Sequence, residues 1–213
     1  MCTGRVDPAF ILRAFSNGTD GVFIGGCWPG ECHYPMDGNL HALSMVLLTR
    51  KLLGRIGVNP ERLRIEWISA AQGIRFADVM NDVAKKFQTL GPLGKGEGID
   101  EGTLKFKLEA ARNLLPYLKL AERERLSVRF ETEEQVNAFF ASEEMDRLFR
   151  ELVGDNFAIS QIMLLLREKP LSVAEISERL QLNASEVTRH LQRSVRQGWV
   201  RFDESRKRFA AAS

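Results

Sequence analysis

The run Gly91-Pro92-Leu93-Gly94-Lys95-Gly96-Glu97-Gly98 places four glycines and a proline within eight residues. No regular helix or central strand tolerates that density, because glycine loses the most backbone entropy on ordering and proline has no N–H to donate. The chain must therefore be assembled from pieces on either side of it. The run predicts a flexible linker over residues 92–100. That linker would separate an amino-terminal domain (1–91) from a helical segment (101–154) and a carboxy-terminal module (155–213). A length of 213 residues allows one or two cores.

The amino-terminal piece alternates between two periodicities. Asp7-Pro8 reads as an N-cap and first helical residue, ahead of a short helix that ends at Asn17-Gly18. Gly21 to Gly26 is an apolar run bounded by glycines, as in a buried strand, and Cys27 to Asn39 is a proline- and glycine-rich loop. Asn39 to Ile56 is an amphipathic helix stopped by Gly57, Leu63 to Ile68 a strand, and Gly73 to Leu90 a second amphipathic helix. This order predicts an α/β domain with parallel strands joined by crossover helices, and no strand of its own ahead of the first helix. After the linker, Glu101 to Arg125 is helical, with Pro116 expected to break or kink it. Residues 127–130 suit a short strand. Thr132 to Leu152 suits a helix with Thr132 and Gln135 as a capping box.

Hydrophobic residues make up 44% and charged residues 27%, so the chain can bury a core and is not disordered. A net charge of +2 is too small to imply a polyanion partner for the whole molecule. No apolar run approaches membrane-spanning length and the amino terminus lacks a signal-peptide pattern, so a cytoplasmic protein without a membrane partner is expected. No Ser–His–Asp order or Walker loop is present, and Gly21 to Gly26 lacks the dinucleotide pattern G-x-G-x-x-G. Glu131, Glu133 and Glu134 read as a helix start favoured by the dipole. A non-catalytic protein is expected.

The three cysteines, Cys2, Cys27 and Cys32, all fall within the first 32 residues. Such clustering favours metal or redox chemistry, against the plainer reading of small buried residues. Cys27-Trp28-Pro29-Gly30-Glu31-Cys32-His33 sets two thiols on a loop whose backbone N–H groups are free to face a ligand. The C-x4-C spacing occurs in plant-type [2Fe–2S] ferredoxins, and zinc sites use x2 to x4 spacings, so both metals stay open. Cys2 offers a third thiolate, and Arg5 could offset cluster charge. A [2Fe–2S] cluster takes four protein ligands. His33, a partner chain or residues upstream are the candidates for the fourth, while His41 and His190 read as ordinary side chains.

Three segments carry a family resemblance: Cys2 to Pro8, Gly26 to Tyr34, and Asn59-Pro60-Glu61-Arg62-Leu63-Arg64. In this order they resemble the delta subunit of methyl-viologen-reducing hydrogenase, over residues 1 to about 94. The resemblance implies a [2Fe–2S] cluster with Cys2, Cys27 and Cys32 as ligands. It also implies electron transfer between a hydrogenase or formate dehydrogenase and the flavin subunit of heterodisulfide reductase. The family's loop usually reads Gly-Cys-His-Pro-Gly-Asp-Cys-His-Tyr, from which Trp28 and Glu31 depart. Family members also begin with a strand and a cysteine-rich loop ahead of the position of Cys2. The expectation is a shortened reading of a longer gene, in which a selenocysteine codon in that loop was taken for a stop.

From Phe157 the sequence reads as three helices, with Ser172 and Asn183 as N-caps, followed by strand, turn and strand. This pattern resembles the winged helix-turn-helix family. Residues 155–213 hold ten Lys/Arg and seven Asp/Glu, net +3, with Arg189, His190, Arg193 and Arg196 on the third helix and Arg201, Arg206, Lys207 and Arg208 on the wing. Such a surface suits phosphate, and a DNA-binding, redox-responsive regulator is the alternative function. Glu175, Glu178 and Glu186, on the two helices of the helix-turn-helix itself, would repel phosphate. Protein docking is therefore the preferred reading of this module.

Overall fold

A computed structural model describes residues 2–34, 37–125 and 128–212, without the side chains of 121–125. It divides into two compact units, Met1–Leu148 and Phe149–Ser213. None of the described helices is long and apolar enough to cross a membrane.

The first unit opens with a 3-10 turn at Thr3–Arg5 and helix α1 at Pro8–Ser16. The Asp7 carboxylate accepts from the Ala9 N–H at 2.8 Å, as its N-cap position requires. Strand β1 (Val22–Gly26), helix α2 (Asn39–Ile56), strand β2 (Leu63–Trp67) and helix α3 (Gly73–Leu90) follow. β1 and β2 pair in parallel, Val22 opposite Leu63 and Gly26 opposite Trp67, so α2 is the expected crossover. It buries Leu40, Leu43, Val46, Leu52, Leu53 and Ile56. Gly57, at φ 87°, ends it in the left-handed conformation that other residues resist.

The glycine-rich run lies inside the first unit and is held from within. Arg62 is 0% exposed. Its Nε and Nη2 donate to the Glu97 carboxylate at 2.5 and 3.1 Å. Its Nη groups also donate to the carbonyls of Asp20 and Gly91 at 2.8 Å, Leu90 at 3.1 Å and Pro92 at 3.4 Å. Glu97 accepts in addition from the N–H groups of Asn59 and Gly94 at 3.2 and 2.9 Å. Burial alone would push the Glu97 carboxyl up, but the guanidinium and these N–H groups outweigh it and hold the acid below its ordinary value. Glycine is needed at Gly96 for space: a Cβ there would meet the Leu90 carbonyl at 2.0 Å.

Beyond this turn, helix α4 spans Glu101–Arg125 and packs along α1. Pro116 does not end it. The ring removes the bond to the Arg112 carbonyl, and burial of Leu104, Leu108, Ala111, Leu115 and Leu118 offsets that loss. No strand forms over residues 128–130, while Ser127 lies outside the described residues. The expected long helix after Thr132 is two helices, α5 (Glu133–Phe140) and α6 (Glu143–Phe149). Ser142 makes the break by donating to the Phe139 carbonyl at 2.7 Å and accepting from the Met145 N–H at 3.1 Å.

The second unit is a winged helix. A π-helical turn at Arg150–Gly154 leads into α7 (Asp155–Glu168), α8 (Val173–Leu180) and α9 (Ala184–Arg196), then the antiparallel strands β3 (Val200–Asp203) and β4 (Arg208–Ala211). Leu171 bridges to Phe209, adding a third short rung to the wing. The Ser172–Glu175 capping box forms in both directions. Leu171, Ile176, Val187 and Leu191 are each 0% exposed and make the centre of its core.

Candidate functional site

Both paired strands run out at the same end, and the loops that leave them carry the candidate chemistry, where open parallel sheets place ligands. Cys27 follows β1 directly. The turn Trp28-Pro29-Gly30-Glu31 closes with a bond from the Glu31 N–H to the Trp28 carbonyl at 3.0 Å, with Gly30 at φ 85°. Proline second and a positive-φ glycine third is the chemistry of a type II turn. It sets Cys27 and Cys32 on its two shoulders.

The Cys2 segment is brought to this loop from the other side. Thr3 Oγ1 donates to the Gly25 carbonyl at 2.8 Å, pinning the first turn to the end of β1. Cys2 Sγ accepts from the Gly4 N–H at 3.4 Å. A Cβ on Gly4 would lie 2.1 Å from the Asp37 carbonyl oxygen, and one on Gly38 would lie 2.3 Å from the Tyr34 carbonyl oxygen and 2.4 Å from Cys32 Sγ. Only glycine at both positions allows the three segments to close together. Asn39, 2% exposed at the start of α2, completes the join by donating to the Cys27 carbonyl at 3.1 Å.

All three cysteines are free thiols, Cys27 exposed and Cys2 and Cys32 half-buried. Their segments converge on Gly38 and Asn39, but among the described residues no three His, Cys, Asp or Glu side chains already stand as a metal-holding group. Cys32 Sγ lies 3.5 Å from the Tyr34 carbonyl. His33 is exposed and meets the Tyr34 ring edge to face at 4.9 Å. Arg5 is exposed beside Cys2's turn. As a donor set, three free thiols on glycine-lined loops suit a soft metal, and they number one fewer than a [2Fe–2S] cluster takes.

Sequence reasoning missed Gly4, Gly38 and Asn39 as the frame of this site. It also missed Gln72 and Arg75, at the start of α3, as partners of Trp28. The Asn39–Cys27 pairing had a trace in the sequence, a polar residue opening an apolar helix. The contacts to α3 span more than forty residues and leave no periodic signal.

In the second unit α9 is basic on its outer face, but His190 is turned inward and 1% exposed. Among the described residues its Nε2 has no hydrogen-bond partner, and it faces Glu186 at 3.6 Å and Asp155 at 3.9 Å. The Asp155 carboxylate also takes Arg189 at 3.3 Å and Arg193 at 4.0 Å. Glu175 takes Arg208 at 2.9 Å, and the Ser172 backbone N–H and hydroxyl hold its carboxyl at about 2.

Residues 1–91 match the family of the methyl-viologen-reducing hydrogenase delta subunit, and residues 158–208 match the MarR family. The iron-sulfur subunit of the F420-non-reducing hydrogenase of Archaeoglobus profundus is 50% identical over 91 residues, covering 43% of this chain and 66% of that protein. The vhu iron-sulfur subunit of the F420-non-reducing hydrogenase of Methanopyrus kandleri is 39% identical over 92 residues, 43% of this chain and 69% of that protein. One subunit of the ferredoxin/F(420)H(2)-dependent CoB-CoM heterodisulfide reductase of Methanosarcina acetivorans is 43% identical over 94 residues, 44% of this chain and 12% of that protein. The chain thus spans about two thirds of the length of the hydrogenase subunits it matches.

Proposed function

Because the chain belongs, through its first 91 residues, to the methyl-viologen-reducing hydrogenase delta-subunit family, we propose that it is an iron–sulfur electron-transfer subunit. Its partners on this reading are a hydrogenase or formate dehydrogenase on one side and a heterodisulfide-reductase-type flavin subunit on the other. The observation that carries the reading is the convergence of the Cys2 turn and the Cys27–Cys32 loop on Gly38 and Asn39. Cys2, Cys27 and Cys32 would hold a [2Fe–2S] cluster, with the fourth ligand from His33, a partner chain or a residue upstream. Bound there, the cluster supplies one-electron transfer. The chain's own part is to fix the thiols at the end of a parallel sheet and to leave Cys27 open to a docking partner. The second unit is proposed as a protein-docking module, since Asp155 already engages Arg189 and Arg193.

The test is anaerobic reconstitution of the chain, with iron and sulfide counts and EPR. The expected result is two irons and two sulfides per chain, lost in Cys27→Ser and Cys32→Ser, and reduced in His33→Ala if His33 is the fourth ligand. Equal iron in wild type and both cysteine variants would refute it.

A second reading, DNA binding by the winged helix, is favoured by the MarR match and by the exposed cations Arg196, Arg201 and Lys207. Fluorescence anisotropy with a labelled duplex tests it. Affinity that falls steeply with salt supports DNA binding, and no binding at low salt removes it.

A further inference from the structure

We infer that Trp28, Gln72 and Arg75 form a latch that fixes the Cys27–Cys32 turn to the first turn of α3, making Trp28 a positioning residue for the two thiols. The inference rests on the iron–sulfur reading for its purpose, but not for its geometry.

The Trp28 indole N–H donates to Gln72 Oε1 at 2.8 Å, and the same oxygen accepts from the Ser69 N–H at 3.0 Å. The Arg75 guanidinium lies 4.8 Å from the centre of the Trp28 ring, within cation–π range. Arg75 is itself oriented by donation from its Nε to the Trp67 carbonyl at 3.2 Å, at the last residue of β2. The indole is thus held at its edge by the loop after β2 and on its face by α3.

Trp28 is also the first residue of the type II turn, and its carbonyl accepts the bond that closes that turn. Fixing the ring therefore fixes the frame of the turn and the directions in which the chain enters Cys27 and leaves toward Cys32. The tip of the loop has no burial to hold it: Pro29, Gly30 and Glu31 are exposed. Beneath this latch the strand pairing joins the two loops at the carboxyl ends of β1 and β2.

Two readouts test the latch, on the full chain. The first is hydrogen exchange of the Glu31 amide in the metal-free protein, by NMR. The second is the rate at which the reconstituted protein loses iron to a chelator. Trp28→Phe keeps an aromatic ring and removes the indole donor, Gln72→Leu removes the acceptor, and Gln72→Glu keeps an acceptor oxygen. Loss of one such bond should speed both processes about tenfold in Trp28→Phe and Gln72→Leu. Gln72→Glu should return them to the wild-type rate. Unchanged Glu31 exchange in the first two variants overturns the latch, whatever the iron does. Faster exchange with unchanged iron loss overturns the positioning role. A chain that binds no iron counts against the electron-transfer reading alone, and the exchange arm still decides the latch.

Discussion

Glu97→Gln removes one charge from the Arg62 pair and changes little else in size. In the native carboxylate, Oε1 receives Arg62 Nε at 2.5 Å and Asn59 N at 3.2 Å, while Oε2 receives Arg62 Nη2 at 3.1 Å and Gly94 N at 2.9 Å. An amide can keep the first two bonds by placing its oxygen at Oε1. Its NH2 group then faces two donors, and a fully buried guanidinium keeps one bond to a neutral amide and its backbone carbonyls but loses its counter-ion. Removing one partner of a buried ion pair costs about 3–5 kcal/mol. The four carbonyls that remain around Arg62 put this case at the low end, about 3 kcal/mol. The assay is urea unfolding followed by tryptophan fluorescence in a Trp199→Phe background, which leaves Trp28 and Trp67, both in the first unit. With a slope of about 2 kcal/mol/M, the midpoint should fall by about 1.5 M. The pH dependence has a definite sign. The Glu97 acid is held below its ordinary 4.5, so its stabilisation is complete above that value and drains away as pH falls through the lower, folded one. Glu97→Gln should flatten that acid limb. A midpoint shift below about 0.3 M, with the limb unchanged, would show that the glycine-rich turn is not held by this pair.

Gly38→Ala forces a methyl group to 2.4 Å from Cys32 Sγ, so it should abolish iron retention on reconstitution while Gly30→Ala, at φ 85° with open space around it, should only weaken the turn. Pro116→Ala restores a helical N–H on an exposed face of α4 and should raise stability by about 1–3 kcal/mol, read as an increase in Tm. Ser172→Ala takes away the hydroxyl beside Glu175, and its carboxyl, held at about 2, should titrate higher by NMR. In the wild type that capping interaction is present above pH 4.5 and is lost between there and about 2. Asp155→Asn frees Arg189 and Arg193. If the winged helix binds nucleic acid, anisotropy should show tighter duplex binding with a steeper salt dependence, and unchanged binding would count against phosphate contact through α9.

What could be read from the sequence was what local physics decides. The 3.6-residue stripe of α2 and the Gly57 stop fixed that helix to its observed ends, Asn39 and Ile56. Asp7, Thr132, Ser172 and Asn183 each cap as their chemistry requires. The glycine-rich run was opaque because its order comes from a side chain some thirty residues earlier. Arg62 sits in a polar stretch that looks solvated, and nothing local marks it as buried. The helix runs on through Pro116 rather than breaking there, since the propensity cost of one residue is small beside the buried face of a 25-residue helix.

The cysteine site divides along the same line. Spacing and composition located the thiols, because C-x4-C on a turn is a local pattern. The frame that closes around them is non-local: Gly4 against Asp37, Gly38 against Cys32, Asn39 against Cys27, and Trp28 against Gln72. Each of these is a contact between segments that the parallel sheet brings to one end. A redox centre on such loops derives its rigidity from pairings between loops rather than from the loops themselves. Substitutions at Gln72 or Gly38, which supply no thiol, should then disturb the site more severely than loss of a solvent-facing neighbour of a thiol. Glu31, beside Cys32 but pointing to solvent, should be replaceable at little cost.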